Sequence, residues 1–175
     1  MKTVYVTIEG ISPLLMHRFS MEPIEAIDKK TPEEQAKLSA YIDEEKGNLL
    51  YVPATAVQRA LVTGATYSKG KGRSSLQKNV AACVMVSPER ISLGTRDYVI
   101  DSRPVVIPAT KGRILRHRPR LDKWKISFQI DYDQNLITRD QLNRILVDTG
   151  QRVGLLEFRP EKKGPFGRFM ISEFD

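Results

Sequence analysis

The sequence predicts an α+β fold: a ferredoxin-like βαββαβ core with an antiparallel sheet and inserted excursions. Three observations predict it. Alternating apolar segments open the chain, recur at 124–132 and close it. Helix-start signals fall between them at 53 and 138. Removing the charged excursions leaves the order strand, helix, strand, strand, helix, strand. Residues 1–175 read as one domain with insertions near 11–48, 68–78 and 108–123.

Lys2 to Glu9 alternates, with Val4, Val6 and Ile8 on one side and Tyr5, Thr7 and Glu9 on the other. That is a half-buried strand. Gly10 and Pro13 break it, and Leu14, Leu15 and Met16 are expected to tuck a loop into the core, with His17 and Arg18 next. Thr31, Pro32 and Glu34 form a capping box with proline at the first helical position. The helix so opened is expected to carry an apolar stripe of Leu38, Tyr41 and Ile42 and to stop at Gly47.

Leu49 to Val52 reads as extended, and Pro53 starts a second helix. Its face of Val57, Ala60, Leu61 and Ala65 is small enough to lie close on a sheet. The stretch SKGKGRSSLQK is a basic glycine-serine loop. Asn79 to Val86, apolar on both faces, is expected to be a central strand. Ile91–Leu93 and Tyr98–Ile107 are further strand candidates, whereas 111–125 is too broken by Gly112 and Pro119 for a clean helix. Trp124, Ile126, Phe128, Ile130 and Tyr132 give the clearest strand. Thr138 and Gln141 form another capping box, stapled by Ile137 and Leu142, and Gly150 is the expected stop.

The final stretch carries a glycine-punctuated loop, Gly164-Pro165-Phe166-Gly167, after Lys162 and Lys163 and before Arg168. Glycines let another backbone approach, and such a loop can lie along a phosphate chain. The alternative is a hairpin connection with solvated lysines.

The chain has 175 residues and a net charge of +7. Residues 1–50 carry 6 basic and 9 acidic residues, 51–125 carry 15 and 4, and 126–175 carry 7 and 8. Positive charge gathered in mid-chain is the footprint of a polyanion-binding face. No run approaches the roughly 18 apolar residues of a membrane span, so no membrane partner is expected. The N-terminus reads as a strand, not a signal peptide. The single cysteine, Cys83, fits a reducing, cytoplasmic setting.

Tyr51 to Leu61, YVPATAVQRAL, resembles the strand-to-helix segment of CRISPR-associated RAMP proteins, where an isoleucine-proline-glycine-serine-serine-leucine stretch opens the first helix. Gly164 to Phe169, GPFGRF, is similar to a reduced form of their glycine-rich loop. The chain departs from the pattern at Ala54, where glycine is usual, and in having fewer glycines in the second loop. The resemblance implies an RRM-like domain of the backbone-subunit type, including virus- or prophage-encoded relatives. Such subunits bind guide RNA, polymerise along it and carry a basic thumb-like excursion.

The function expected is non-catalytic, sequence-independent binding of single-stranded nucleic acid, RNA before DNA, with self-association along the strand. Lys69, Lys71, Arg73, Lys111, Arg113, Arg116, Arg118, Arg120, Lys162, Lys163 and Arg168 would supply charge, and Phe166 would stack on a base. One alternative is a metal-independent endoribonuclease using His117 and His17. Another is a protein–protein assembly subunit whose basic face meets acidic protein. Asp131 and Asp133 read as the solvated end of a strand rather than a metal site. No cofactor motif or metal-ligand spacing is present, so none is expected.

Overall fold

The computed structural model describes residues 1–175. In chain order the strands are β1 (Lys2–Gly10), β2 (Leu14–Leu15), β3 (Ile42–Asp43), β4 (Leu49–Pro53), β5 (Val84–Ser87), β6 (Arg90–Ser92), β7 (Val99–Val106), β8 (Arg113–Leu121), β9 (Lys125–Tyr132) and β10 (Phe169–Phe174). The helices are α1 (Ile24–Asp28), α2 (Pro32–Ser39), α3 (Ala54–Gly64), α4 (Gln77–Cys83) and α5 (Arg139–Asp148). The fold is mixed α+β with several antiparallel sheets.

Alternation dictates the main sheet. Val4, Val6 and Ile8 of β1 lie directly opposite Ile130, Phe128 and Ile126 of β9, and all six are buried. Each such side chain contributes about 1.5–3 kcal/mol on leaving water. β10 flanks β1 and β5 flanks β9, giving the order β10-β1-β9-β5 with every neighbour antiparallel. α3 precedes β5 and α5 precedes β10. The two helices pack on each other, bringing Val57, Leu61, Leu142, Ile145 and Leu146 into the same core. Both expected capping boxes form: Thr31 with Glu34, and Thr138 with Gln141. Leu14, Leu15 and Met16 are fully buried.

Three local expectations are corrected. Asn79 to Val86 is not a central strand. Leu76, Val80 and Cys83 recur at helical spacing and are buried, so Gln77–Cys83 is α4, and the strand that follows lies at the sheet edge. The stripe Leu38–Tyr41–Ile42 does not exist as a helix face. α2 ends at Ser39 and buries Gln35 and Ala36 instead. The aromatic and β-branched pair Tyr41-Ile42 runs extended beside β4, with the Tyr41 ring tilted against Tyr51 at a centroid distance of 5.6 Å.

Gly150 does not stop α5. The helix passes into a wider turn, Thr149–Val153, and ends at Gly154. At Gly150 a Cβ would overlap the carbonyl of Phe169, so glycine serves the close approach of β10. The basic window forms no helix, as expected: 113–121 is a strand, with Arg113–Arg120 paired to β7. This hairpin joins β2 in a second sheet, order β2-β8-β7, and α2 packs on it. β3, β4 and β6 make a third.

Candidate nucleic-acid interface

Strand geometry divides the basic window in two. Side chains two apart share a face, so Arg116, Arg118 and Arg120 point the same way as Asp101 and Arg103 of β7. That face meets the body of the protein. Arg116 reaches Asp28 at 3.0 Å, and Arg120 reaches Asp101 at 3.0 Å and Asp122 at 2.8 Å. Arg103 binds Asp101 at 2.7 Å. Burial alone pushes the Asp101 carboxyl up. Hydrogen bonds from Arg103 and Arg120, with their charges, outweigh it and hold it below the usual carboxylate value. Arg118 is 5% exposed, 4.0 Å from Glu157, and its Nε has no partner. Burial lowers its pKa despite Glu157. The three arginines expected to touch phosphate are thus engaged inside the chain, Arg116 with Asp28, Arg118 facing Glu157, and Arg120 with Asp101 and Asp122.

The tip is different. Lys111 and Arg113 are exposed and have no carboxylate within ion-pair distance. The hairpin face opposite the buried arginines exposes Pro104, Val106 and Leu115, with His117 bonded to Ser102 at 2.7 Å.

The glycine loop is tied down by backbone hydrogen bonds. Gly167 donates to Pro13 and accepts from Leu155, and Phe166 donates to Phe158. Gly167 has φ +76, and a Cβ there would overlap the Leu155 carbonyl. Leu156, Phe158 and Lys163 also take positive φ, at 61°, 51° and 64°. For residues with a side chain this costs about 1–3 kcal/mol each.

Phe166 is not an open stacking surface. It is 6% exposed, edge-on to Phe158 at 5.9 Å, with the Arg103 guanidinium 4.8 Å from its ring. The strand alternation that starts at Arg168 does not reach back into the loop, so sequence pattern could not place this ring. Lys162, Lys163 and Arg168 are exposed and have no acidic partner.

The 68–76 loop folds on itself. Gly70 donates to Ser74, Ser74 donates to Lys71, and a bridge joins Lys69 to Ser75. Lys69, Lys71 and Arg73 project from it, exposed and unpaired with acid.

The outer face of the main sheet carries Thr3, Tyr5, Thr7 and Glu9 on β1 opposite Asp131, Gln129, Ser127 and Lys125 on β9. Glu173 stands beside Thr7 on β10. This face is acidic on balance, with Tyr5 its one aromatic on the central strands. Asp131 accepts from Thr3 at 2.6 Å and from Gln129 at 3.0 Å, while Asp133 caps the turn at Asn135. No group of three or more His, Cys, Asp or Glu side chains could hold a metal ion.

The two histidines are separated. His17 lies on the Arg118 side of the hairpin, its Nδ1 3.8 Å from Glu157, and His117 faces the other way. Burial holds His17 below its usual pKa against the raising effect of Glu157, with Arg118 and Arg116 adding to the depression. Around His17 a cavity gathers Tyr41, Arg59, Thr63, Glu157 and Arg159. These residues lie up to 142 positions apart, from 17 to 159, so no local motif announces them.

No helix is long and apolar enough to cross a membrane. No protein-family model matches the chain, and no curated protein matches it. Among solved structures it is similar to a chain in the cryo-EM structure of the Type III-B Cmr-beta bound to cognate target RNA. The TM-score is 0.57 at 13% identity, over 99% of this chain and 59% of that one. The likeness is one of fold, and the chain spans under two thirds of its neighbour's length.

Proposed function

We propose that this chain binds single-stranded nucleic acid, RNA before DNA, without sequence specificity, and assembles along the strand as a RAMP-like, CRISPR-associated backbone-type subunit. The observation that carries the proposal is the set of exposed cations with no acidic partner on three segments: Lys69, Lys71 and Arg73; Lys111 and Arg113; Lys162, Lys163 and Arg168. Such groups contact phosphate without a desolvation cost from broken ion pairs. Phosphate contacts position a strand but do not read it. The outer sheet face, which an RRM-like module uses for bases, is here acidic and nearly free of aromatics. The strand therefore runs over the basic loops and the hairpin tip.

Two further observations support the reading, one on the fold and one on the ligand. The order β10-β1-β9-β5, with helices before β5 and β10, supports a ferredoxin-like core. The neighbour's structure contains RNA. On this reading residues 1–175 are one domain, with insertions near 11–48, 68–78 and 108–123. Cleavage by two histidines is disfavoured, because His17 and His117 lie on opposite sides of the β7–β8 hairpin. The acidic outer face of one copy and the basic hairpin tip of the next would give a head-to-tail contact that extends along the strand.

Light scattering and fluorescence anisotropy with labelled single-stranded RNAs of unrelated sequence and increasing length test this. The expected result is similar affinity across sequences, mass that climbs stepwise with length, and RNA recovered intact. A fixed one-to-one complex on long strands, strong sequence preference, or cleavage would overturn it.

A further inference from the structure

The cavity beside His17 has a volume of about 200 Å³ and takes its polar walls from separate parts of the chain: His17, Tyr41, Arg59 and Thr63 of α3, and Glu157, Arg159 and Glu161, the last already bonded to Arg159. Its charges are unevenly spent. Glu157 is bracketed, with Arg118 Nη1 at 4.0 Å from one oxygen and His17 Nδ1 at 3.8 Å from the other. Arg159 gives Nε to Glu161 and Nη1 to the Leu156 carbonyl, which leaves its Nη2 hydrogens unclaimed. Arg59 has no carboxylate within ion-pair distance. Behind Glu157 stands Arg118, buried, with its Nε lacking a partner. The left-handed residues Leu156 and Phe158 flank Glu157 on both sides. Backbone strain of that kind concentrates at binding sites.

We propose that this cavity takes a phosphate monoester, the terminal phosphate of a nucleic-acid strand, a reading that rests on the nucleic-acid function above. Size favours a terminal phosphate over an internal one. Pockets for whole small-molecule ligands run to about 300–1,000 Å³, so this one holds a phosphoryl group and part of its sugar. An internal phosphate carries a sugar on both sides, and this volume takes part of one. Its charge of about −1.5 to −2 at neutral pH calls for more than one cation. Arg59 and the spare face of Arg159 supply them as planar donors suited to phosphate oxygens. The Thr63 and Tyr41 hydroxyls and the His17 ring complete the set of donors.

Two measurements test it. In the first, anisotropy compares one oligonucleotide carrying a 5′-phosphate, a 3′-phosphate or hydroxyl ends. A preference for one phosphorylated end is expected, and Arg59→Ala should remove it by about 10- to 100-fold, the loss of one or two charge-assisted hydrogen bonds, while sparing the hydroxyl-ended strand. Lys71→Ala should weaken all three strands alike. Equal affinity for all three strands with wild type overturns the proposal. In the second, ribose 5-phosphate, inorganic phosphate and ribose are titrated while the two histidine side chains are followed by NMR, assigned with His17→Gln. A saturable shift of His17 but not His117 with ribose 5-phosphate, lost in Arg59→Ala, supports the pocket. No shift overturns it. A failure of every strand to bind would remove the nucleic-acid reading, and the ribose 5-phosphate titration would still decide the pocket.

Discussion

Phe166→Ala separates a structural ring from a base-stacking one. The ring is 6% exposed, meets Phe158 edge-on at an interplanar angle of 71°, and lies 4.8 Å under Arg103. Truncating a buried phenylalanine costs about 3–5 kcal/mol. That figure includes about 0.5–1.5 kcal/mol from the aromatic pair and about 0.5–2 from the cation. For a chain of this length each kcal/mol lowers the melting temperature by about 2–4 °C, so a fall on the order of 6–20 °C is expected. Urea unfolding followed by circular dichroism gives the stability change. Anisotropy with single-stranded RNA, well below the new transition, gives the affinity. A large loss of stability and an affinity within about threefold of wild type are expected, since no base contact is removed. Unchanged stability with an affinity loss of tenfold or more would refute the burial argument and restore Phe166 as a stacking residue.

The β8 arginines and the hairpin tip should separate in the same two assays. Lys111→Ala with Arg113→Ala should weaken RNA binding at unchanged urea midpoint. Arg116→Ala, which removes an ion pair to the exposed Asp28, should lower stability by about 0.2–1 kcal/mol and leave affinity nearly intact. The reverse pattern would mean that the ion pairs open on binding. Asp101 supplies a pH test. Its carboxyl is held below the ordinary value, so its stabilisation is present above about pH 4 and lost as pH falls through the depressed folded value. Asp101→Asn should be less stable at neutral pH and should flatten that acid limb, and urea midpoints that run parallel for both proteins would contradict this. His117→Ala should leave RNA affinity unchanged, because the imidazole bonds only to Ser102.

Local chemistry made much of the fold legible. The alternation of β1 and β9 set which residues face each other, and the Thr138 box set the start of α5 within one residue. The face of α3 was visible in Val57, Ala60 and Leu61. Where reading failed, two periods competed. From Val80 to Val86 the apolar run satisfies a strand, but Leu76, Val80 and Cys83 also satisfy a helix, and the latter prevails until Val84. Charge was legible in amount and not in partner. Arg116 and Asp28 are 88 residues apart, and only the packing of the acidic segment on β8 shows that they neutralise each other. The cavity at His17 is assembled wholly from long-range contacts. The glycine loop was legible as a turn, while the side of Phe166 depended on Arg103 arriving from the hairpin.

Phosphate contact by the unpaired cations is the central claim, and the salt dependence of RNA affinity tests it most directly. A labelled single-stranded RNA is titrated at a series of salt concentrations, and log affinity is plotted against log salt. Eight contacts, one for each unpaired cation, at about 0.7 each predict a slope of about −5.6. In the Lys111→Ala, Arg113→Ala double variant the slope should be shallower by about 1.4. An affinity that does not change with salt, or a double variant with the wild-type slope, would contradict the account.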